Sequence, residues 1–129
     1  MDDERVWTPA EIARRYLQGE RDFRGLDISD GRGEAGASFR GVVLDGADFS
    51  RSFIEADFTG ARLCNSKFVE ANVKTCTFDG ADLRDSDFSR ASIDAATFTG
   101  CRFDGAQFEG AGLYGHRLAK GELPDWPRR

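Results

Sequence analysis

Few residues in this chain are of types that carry chemistry. His116 is the only histidine, and the cysteines are Cys64, Cys76 and Cys101. A general base must reach a nucleophile or an orienting carboxylate, and a metal needs several ligands at set spacings. The cysteines form neither a C-x-x-C pair nor a metal-ligand pattern, so free thiols in a reducing cytoplasm are expected. Gly31, Gly33 and Gly36 make G-x-G-x-x-G within "SDGRGEAGA". That pattern cradles a pyrophosphate only between a strand and a helix N-terminus. No helix is expected after Gly36, so the stretch reads as a turn-forming insertion. No catalytic, cofactor-binding or metal-binding residue is expected, and no cofactor.

The elements that would position any such residue follow an unusual period. In "FDGADLRDSDFSRASIDAATFTG" (78–100), a small residue recurs every five positions: Ala81, Ser86, Ala91, Ala96. A bulky residue follows each by two: Leu83, Phe88, Ile93, Phe98. Two residues apart means one face of an extended segment. The next small residue is three further on, which would face outward unless the chain turned. Each pentapeptide is therefore one short side and one corner. Gly at 41, 46, 60, 80, 100, 105, 110 and 115 marks the second corner residue.

A longer period counts the sides. In order, the bulky residues are Phe39, Leu44, Phe49, Ile54; Phe58, Leu63, Phe68, Val73; Phe78, Leu83, Phe88, Ile93; Phe98, Phe103, Phe108, Leu113; then Leu118. Sides one and three are Phe until Leu118, and side four is always aliphatic. Like residues return every four pentapeptides, which predicts a square coil with like side chains stacked. At the spacing of paired strands, four coils span about 19 Å.

Segments such as "ADF" (47–49) and "ANV" (71–73), with Ala81-Asp82-Leu83, match the loose consensus A-(D/N)-L-x-x. The chain thus resembles the pentapeptide-repeat family from Phe39 to Leu118, and partly from Phe23 to Ile28. The resemblance implies an all-β solenoid: a right-handed quadrilateral β-helix, here of about four to five coils. Its handedness comes from the family. Some members mimic duplex DNA and bind type II topoisomerases such as DNA gyrase.

The ends differ from the repeat. Residues 7–19, "WTPAEIARRYLQG", predict a capping α-helix with Thr8 as N-cap, Pro9 at the first position and Glu11 completing a capping box. Trp7 and Ile12 have staple spacing, and Gly19 is a stop. Such a helix would lie across the open N-terminal end of the stack. The expected organisation is an N-terminal segment 1–22, a β-helix 23–118 with an insertion at 29–37, and a tail 119–129 in which Leu123 and Trp126 cover the last coil. His116, at a small inward position, is expected to be buried.

Composition narrows the function. A net charge of −5 disfavours direct nucleic-acid binding. The absence of a long apolar run argues against a membrane span, and the acidic start "MDDERVW" against a signal peptide. Charges alternate along predicted columns such as Arg62–Asp82–Arg102 and Arg51–Glu70–Arg90, which suggests pairing between coils. The sequence therefore predicts a non-enzymatic, cytoplasmic protein-interaction module of unknown partner, with gyrase modulation as the alternative. A homodimer through a coil end would lengthen the rod. The expected contact site is the corner between sides four and one. There the insertion, with Arg32 and Glu34 at its tip, meets a coil shortened between Ile54 and Phe58 and an outward Phe53 where other coils carry Asn72, Ser92 and Gly112.

Overall fold

Extended pentapeptide sides joined by tight corners build the rod. The computed structural model describes residues 6–29 and 37–124. Its regular elements are short: β1 (Val6–Trp7), α1 (Pro9–Leu17), β2 (Asp27–Ile28), β3 (Ala37–Ser38), β4 (Phe53–Ile54), β5 (Ala56–Asp57), β6 (Gly112–Leu113) and β7 (His116–Arg117). Elsewhere single residues pair in parallel with the coil above. Side three runs Asp22, Asp48, Lys67, Asp87, Gln107, and side two runs Val43, Arg62, Asp82, Arg102. Side one runs Ser38, Asp57, Thr77, Thr97, and side four Asp27, Phe53, Asn72, Ser92, Gly112. The register is the one expected from the repeat.

Each side exchanges hydrogen bonds with both neighbours. The residue before the bulky one donates upward (Arg62 N to Val42 O, 3.0 Å), and the bulky one donates downward (Leu63 N to Asp82 O, 2.8 Å). At the corner the next small residue donates back across the turn, as from Ala81 N to Phe78 O at 2.9 Å. At the two-residue corners up to Gly110, only the second corner residue has positive φ, as in a type II turn. Where the sequence lacks Gly, the same geometry is imposed on Arg51, Asn65, Glu70, Thr75, Asp85, Arg90 and Ala95.

The core is a two-column lattice of phenylalanine. On side one, Phe39, Phe58, Phe78 and Phe98 stack at 4.9, 5.0 and 5.1 Å, within 8° of parallel. On side three, Phe23, Phe49, Phe68, Phe88 and Phe108 stack at 4.6–5.5 Å. The columns meet edge to face, as between Phe78 and Phe88 at 5.4 Å and 90°. Offset stacks within a column and T-contacts between columns both suit the ring quadrupole. Inward serines cost little because each bonds a local carbonyl: Ser66 and Ser86 donate to Leu63 O and Leu83 O at 2.7 Å.

The N-terminal end carries α1, with the capping box formed: Glu11 N donates to Thr8 Oγ1 and Thr8 N to Glu11 Oε1. Ile12 is buried in the core, and the Tyr16 hydroxyl donates to Asp45 O at 2.7 Å. Trp7 belongs not to the helix but to β1, which pairs with β2 on side four. Extended backbone at Thr8 (ψ 160°) separates the two.

The C-terminal end departs from the expected repeat. Leu118 does not open a further coil, and His116 does not point inward. Tyr114 (φ 52°) and Gly115 (φ 84°) are both left-handed. Two consecutive positive φ values make a type I′ turn, which reverses the chain instead of bending it by a right angle. β7 therefore pairs antiparallel with β6, and Leu118 N reaches back to Ala111 O at 2.9 Å. His116 is exposed. Leu123 packs on the core as expected, and Trp126 lies outside the described residues.

Three stability experiments follow. Phe78→Ala, with rings stacked on both its faces, is expected to cost about 3–5 kcal/mol in chemical denaturation, because neighbouring coils hold the cavity open. Thr75→Gly is expected to stabilise by about 0.5–1 kcal/mol, since a left-handed L-residue costs about 1–2 and the added glycine freedom about 0.5–1. Gly80→Ala, whose new Cβ meets nothing closer than 4.0 Å, should lose stability through φ alone.

Candidate partner-binding site

The corner between sides four and one lies between the paired strands β2 and β4 on side four and β3 and β5 on side one. β4 brings Phe53 to the outer face of side four, paired with Asp27 above and Asn72 below. Glu55 alone makes the corner between β4 and β5, its N–H donating to Ile28 O at 3.0 Å. The insertion leaves side four after Ser29, whose N–H donates to Trp7 O, and returns on side one at the buried Ala37. Its two ends therefore sit at the expected corner. Arg32 and Glu34, like the glycine pattern Gly31–Gly33–Gly36, lie outside the described residues. Phe53 is 44% exposed, a large apolar ring on the outer wall.

Its surroundings set it apart. Below Phe53 the outward positions of side four are Asn72, Ser92 and Gly112, and those of side one are Ser38, Asp57, Thr77 and Thr97. Sides two and three carry a charge at most outward positions. The two faces that meet at this corner are the less charged half of the rod.

On all four sides the short polar and acidic residues serve the corners. The first corner amide has no partner within the turn, and an outward Asp or Asn two residues earlier accepts from it. Asp48 accepts from Ser50 N (2.9 Å), Asn72 from Lys74 N (3.1 Å), Asp82 from Arg84 N (3.3 Å) and Asp87 from Ser89 N (2.9 Å). This is the Asx-turn chemistry of short polar side chains. At other corners an Asp of the coil above accepts instead: Asp45 from Cys64 N (2.9 Å), Asp79 from Thr99 N (3.0 Å) and Asp94 from Tyr114 N (2.6 Å). Sequence reasoning placed Asp48, Asp82, Asp87 and Asp94 in ion-pair columns. Among the described residues one column pair forms, Arg90–Glu70 at 3.3 Å. Arg62 instead pairs diagonally with Asp45 (2.8 Å), and Asp82 pairs within its own coil with Arg84 (2.7 Å). The signal that could have found this was the Asp or Asn placed two residues before a corner.

The reactive groups are held inert. Burial pushes the Cys76 and Cys101 thiols up to about 12. Each lies within hydrogen-bond reach of a carbonyl of the coil above, Ile54 O at 3.2 Å and Phe78 O at 2.8 Å. Burial also raises Cys64, and all three are free. The His116 Nε2 lies 3.3 Å from both carboxylate oxygens of Glu122. Among the described residues, no group of three or more His, Cys, Asp and Glu is placed to hold a metal.

The repeat is also recognised by a family model, the pentapeptide repeat region, over residues 35–108 and 52–125. The chain belongs to the pentapeptide-repeat family. Its members are typically protein-interaction modules. A pentapeptide-repeat protein from the cyanobacterium Cyanothece 51142 matches with a TM-score of 0.58 at 15% identity, over 66% of this chain and 54% of that one. The chain thus spans about half the length of that protein, and the likeness shows the fold: a right-handed quadrilateral β-helix. A pentapeptide-repeat protein from Nostoc PCC 7120 matches at TM-score 0.47 and 22% identity, over 88% and 87% of the two chains. One from the Arabidopsis thaliana thylakoid lumen matches at 0.40 and 31%, over 60% and 63%. A comparison with curated proteins returned no match.

The carboxylate at a pentapeptide-repeat corner has a measurable signature. The Arg84 guanidinium holds Asp82 well below the usual carboxylate range, aided by Arg84 N–H and opposed by partial burial. A depressed carboxylate contributes stability above its unfolded value, near 4, and loses it as pH falls through the folded one. Asp82→Asn keeps an acceptor but no charge. Its deficit relative to the parent should be largest at pH 6–7 and shrink steadily below about pH 4, by denaturant titration across that range.

Proposed function

We propose that this chain is a non-enzymatic protein-interaction module whose partner contacts the corner between sides four and one. The rod comprises about four to five coils with α1 as its N-terminal cap, and the three free thiols suit a reducing cytoplasm. The observation that carries the reading is Phe53. A ring 44% exposed on a rigid, weakly charged wall is the kind of anchor that protein interfaces use. Arg32 and Glu34 of the insertion are proposed as its polar contacts. Long insertions are often functional, and this one leaves the coil after Ser29 and rejoins it at Ala37, at the same corner.

Gyrase modulation by DNA mimicry is the alternative. It calls for continuous negative faces, whereas the carboxylates here alternate with arginine and lysine and are bonded to corner amides. A supercoiling assay separates the two readings. Inhibition or protection of gyrase at micromolar protein would favour the alternative.

The test of the corner is Phe53→Ser beside a deletion of Asp30–Gly36, each measured for melting temperature and for recovery of a partner from native lysate. Phe53→Ser should change stability by no more than about 0.5 kcal/mol, as exposed positions do, while partner recovery falls at least about tenfold. If both variants lose stability together, and binding follows the unfolded fraction, the corner is packing and not a site.

A further inference from the structure

Below Phe53 the wall of side four leads to a second cluster of side chains. The outward column runs Phe53, Asn72, Ser92, Gly112, each paired with the next. Gly112 therefore lies three strand spacings from Phe53, about 14 Å. Here a pocket of about 230 Å³ opens between the corner after Val73 and the β6–β7 hairpin. Lys74 lines it from the corner, His116 and Arg117 from the hairpin, and Ser92 and Gly112 from the wall. Asn72 and Ser92 spend both backbone groups on neighbouring coils, so this wall is read through side chains and not by an added strand.

The pocket's carboxylates serve the backbone, while its cations face solvent. Asp94 lines the pocket, and its Oδ1 accepts from Tyr114 N at 2.6 Å. Glu122, against His116, accepts from Ala119 N at 2.8 Å. Lys74 and Arg117 are exposed. Arg117 fixes its guanidinium with Nη1 on Gly110 O at 2.7 Å, and its planar fork carries further donors. The chain as a whole has a charge of −5, so this pocket is a local reversal of sign. Tyr114 adds an aromatic ring at the foot of the wall. It is exposed, and it holds a left-handed position (φ 52°) where Asn, Asp or Gly is usual.

We propose that side four binds an extended acidic segment of a partner protein, laid along the rod, with an apolar side chain on Phe53 and a carboxylate in the pocket of Lys74 and Arg117. The proposal rests on the reading of Phe53 as an anchor and gives that partner its chemistry. The span fits. Ser92 lies two strand spacings below Phe53, about 10 Å, which is the length of about three extended residues. About one residue more reaches the level of Tyr114. A carboxylate there takes a bidentate pair from the Arg117 fork and a point charge from Lys74. Glu55, at the corner beside Phe53, sets the direction: it repels a carboxylate at the top of the wall while the pocket attracts one at the foot.

The test selects a phage-displayed library of random peptides on the full chain. The selected pool should be enriched in Asp or Glu about three residues from an apolar residue. For a selected peptide, fluorescence polarisation should show binding about tenfold weaker to Lys74→Glu and to Arg117→Gln, at unchanged melting temperature. Lys74→Glu, at an exposed corner, carries the test if Arg117→Gln loosens the hairpin. Lys67→Glu makes the same charge change on side three and should leave affinity as it is. A pool without acidic enrichment overturns the proposal, and so does equal weakening by Lys67→Glu. Weakening by Phe53→Ser alone keeps the Phe53 anchor and overturns the acidic segment. Weakening by Lys74→Glu and Arg117→Gln without any effect of Phe53→Ser overturns the anchor, and with it this placement along the wall.

Discussion

The regular coils of this rod depend on one left-handed residue at each two-residue corner. A pentapeptide has room for a three-residue side and two turning residues. Positive φ at the second of them brings the next small residue back inward; the shortened corner at Glu55 turns without it. Once that bend is made, inward residues of successive coils lie about one strand spacing apart, and the phenylalanine columns follow. The constraint is strong enough to hold arginine, glutamate and even the β-branched Thr75 in a region such residues avoid. The stacked core supplies the free energy that keeps them there.

The corners also set the chemistry of the surface. Tight turns leave an amide without a partner, and a buried or half-buried amide without a partner is costly. Aspartate and asparagine two residues upstream supply the acceptor. Much of the acidic character of the chain is therefore architectural, spent on its own backbone. All four sides use this chemistry, Asp57 on side one and Asn72 on side four included. Sides four and one nevertheless carry fewer charged outward residues than sides two and three, and Phe53 stands on that less charged half.

The two ends show how such a ladder is stopped. At the start, a capped helix seals the core with Ile12 and Tyr16 while β1 extends a single side. At the other end, one additional positive φ at Tyr114 turns a right-angle corner into a hairpin. Each device works on the backbone of the terminal coil: β1 adds a strand to side four at the start, and β7 adds one to side four at the end.

The sequence by itself determined the inward register, the square cross-section, the Phe columns and the helix cap. Each of these is a local or strictly periodic pattern, in which a residue's neighbours along the chain specify its environment. It also located the corner where the insertion and the shortened coil coincide, because both are plain deviations in counting. Tertiary structure decided what counting could not reach. Arg62 had two carboxylates within reach, Asp82 below and Asp45 on the diagonal, and only the path of the side chains chose Asp45. His116 and Leu118 kept the repeat spacing, yet two consecutive left-handed residues sent them backward. That reversal lays β7 against β6 on side four, a relation between segments that no spacing along the chain encodes.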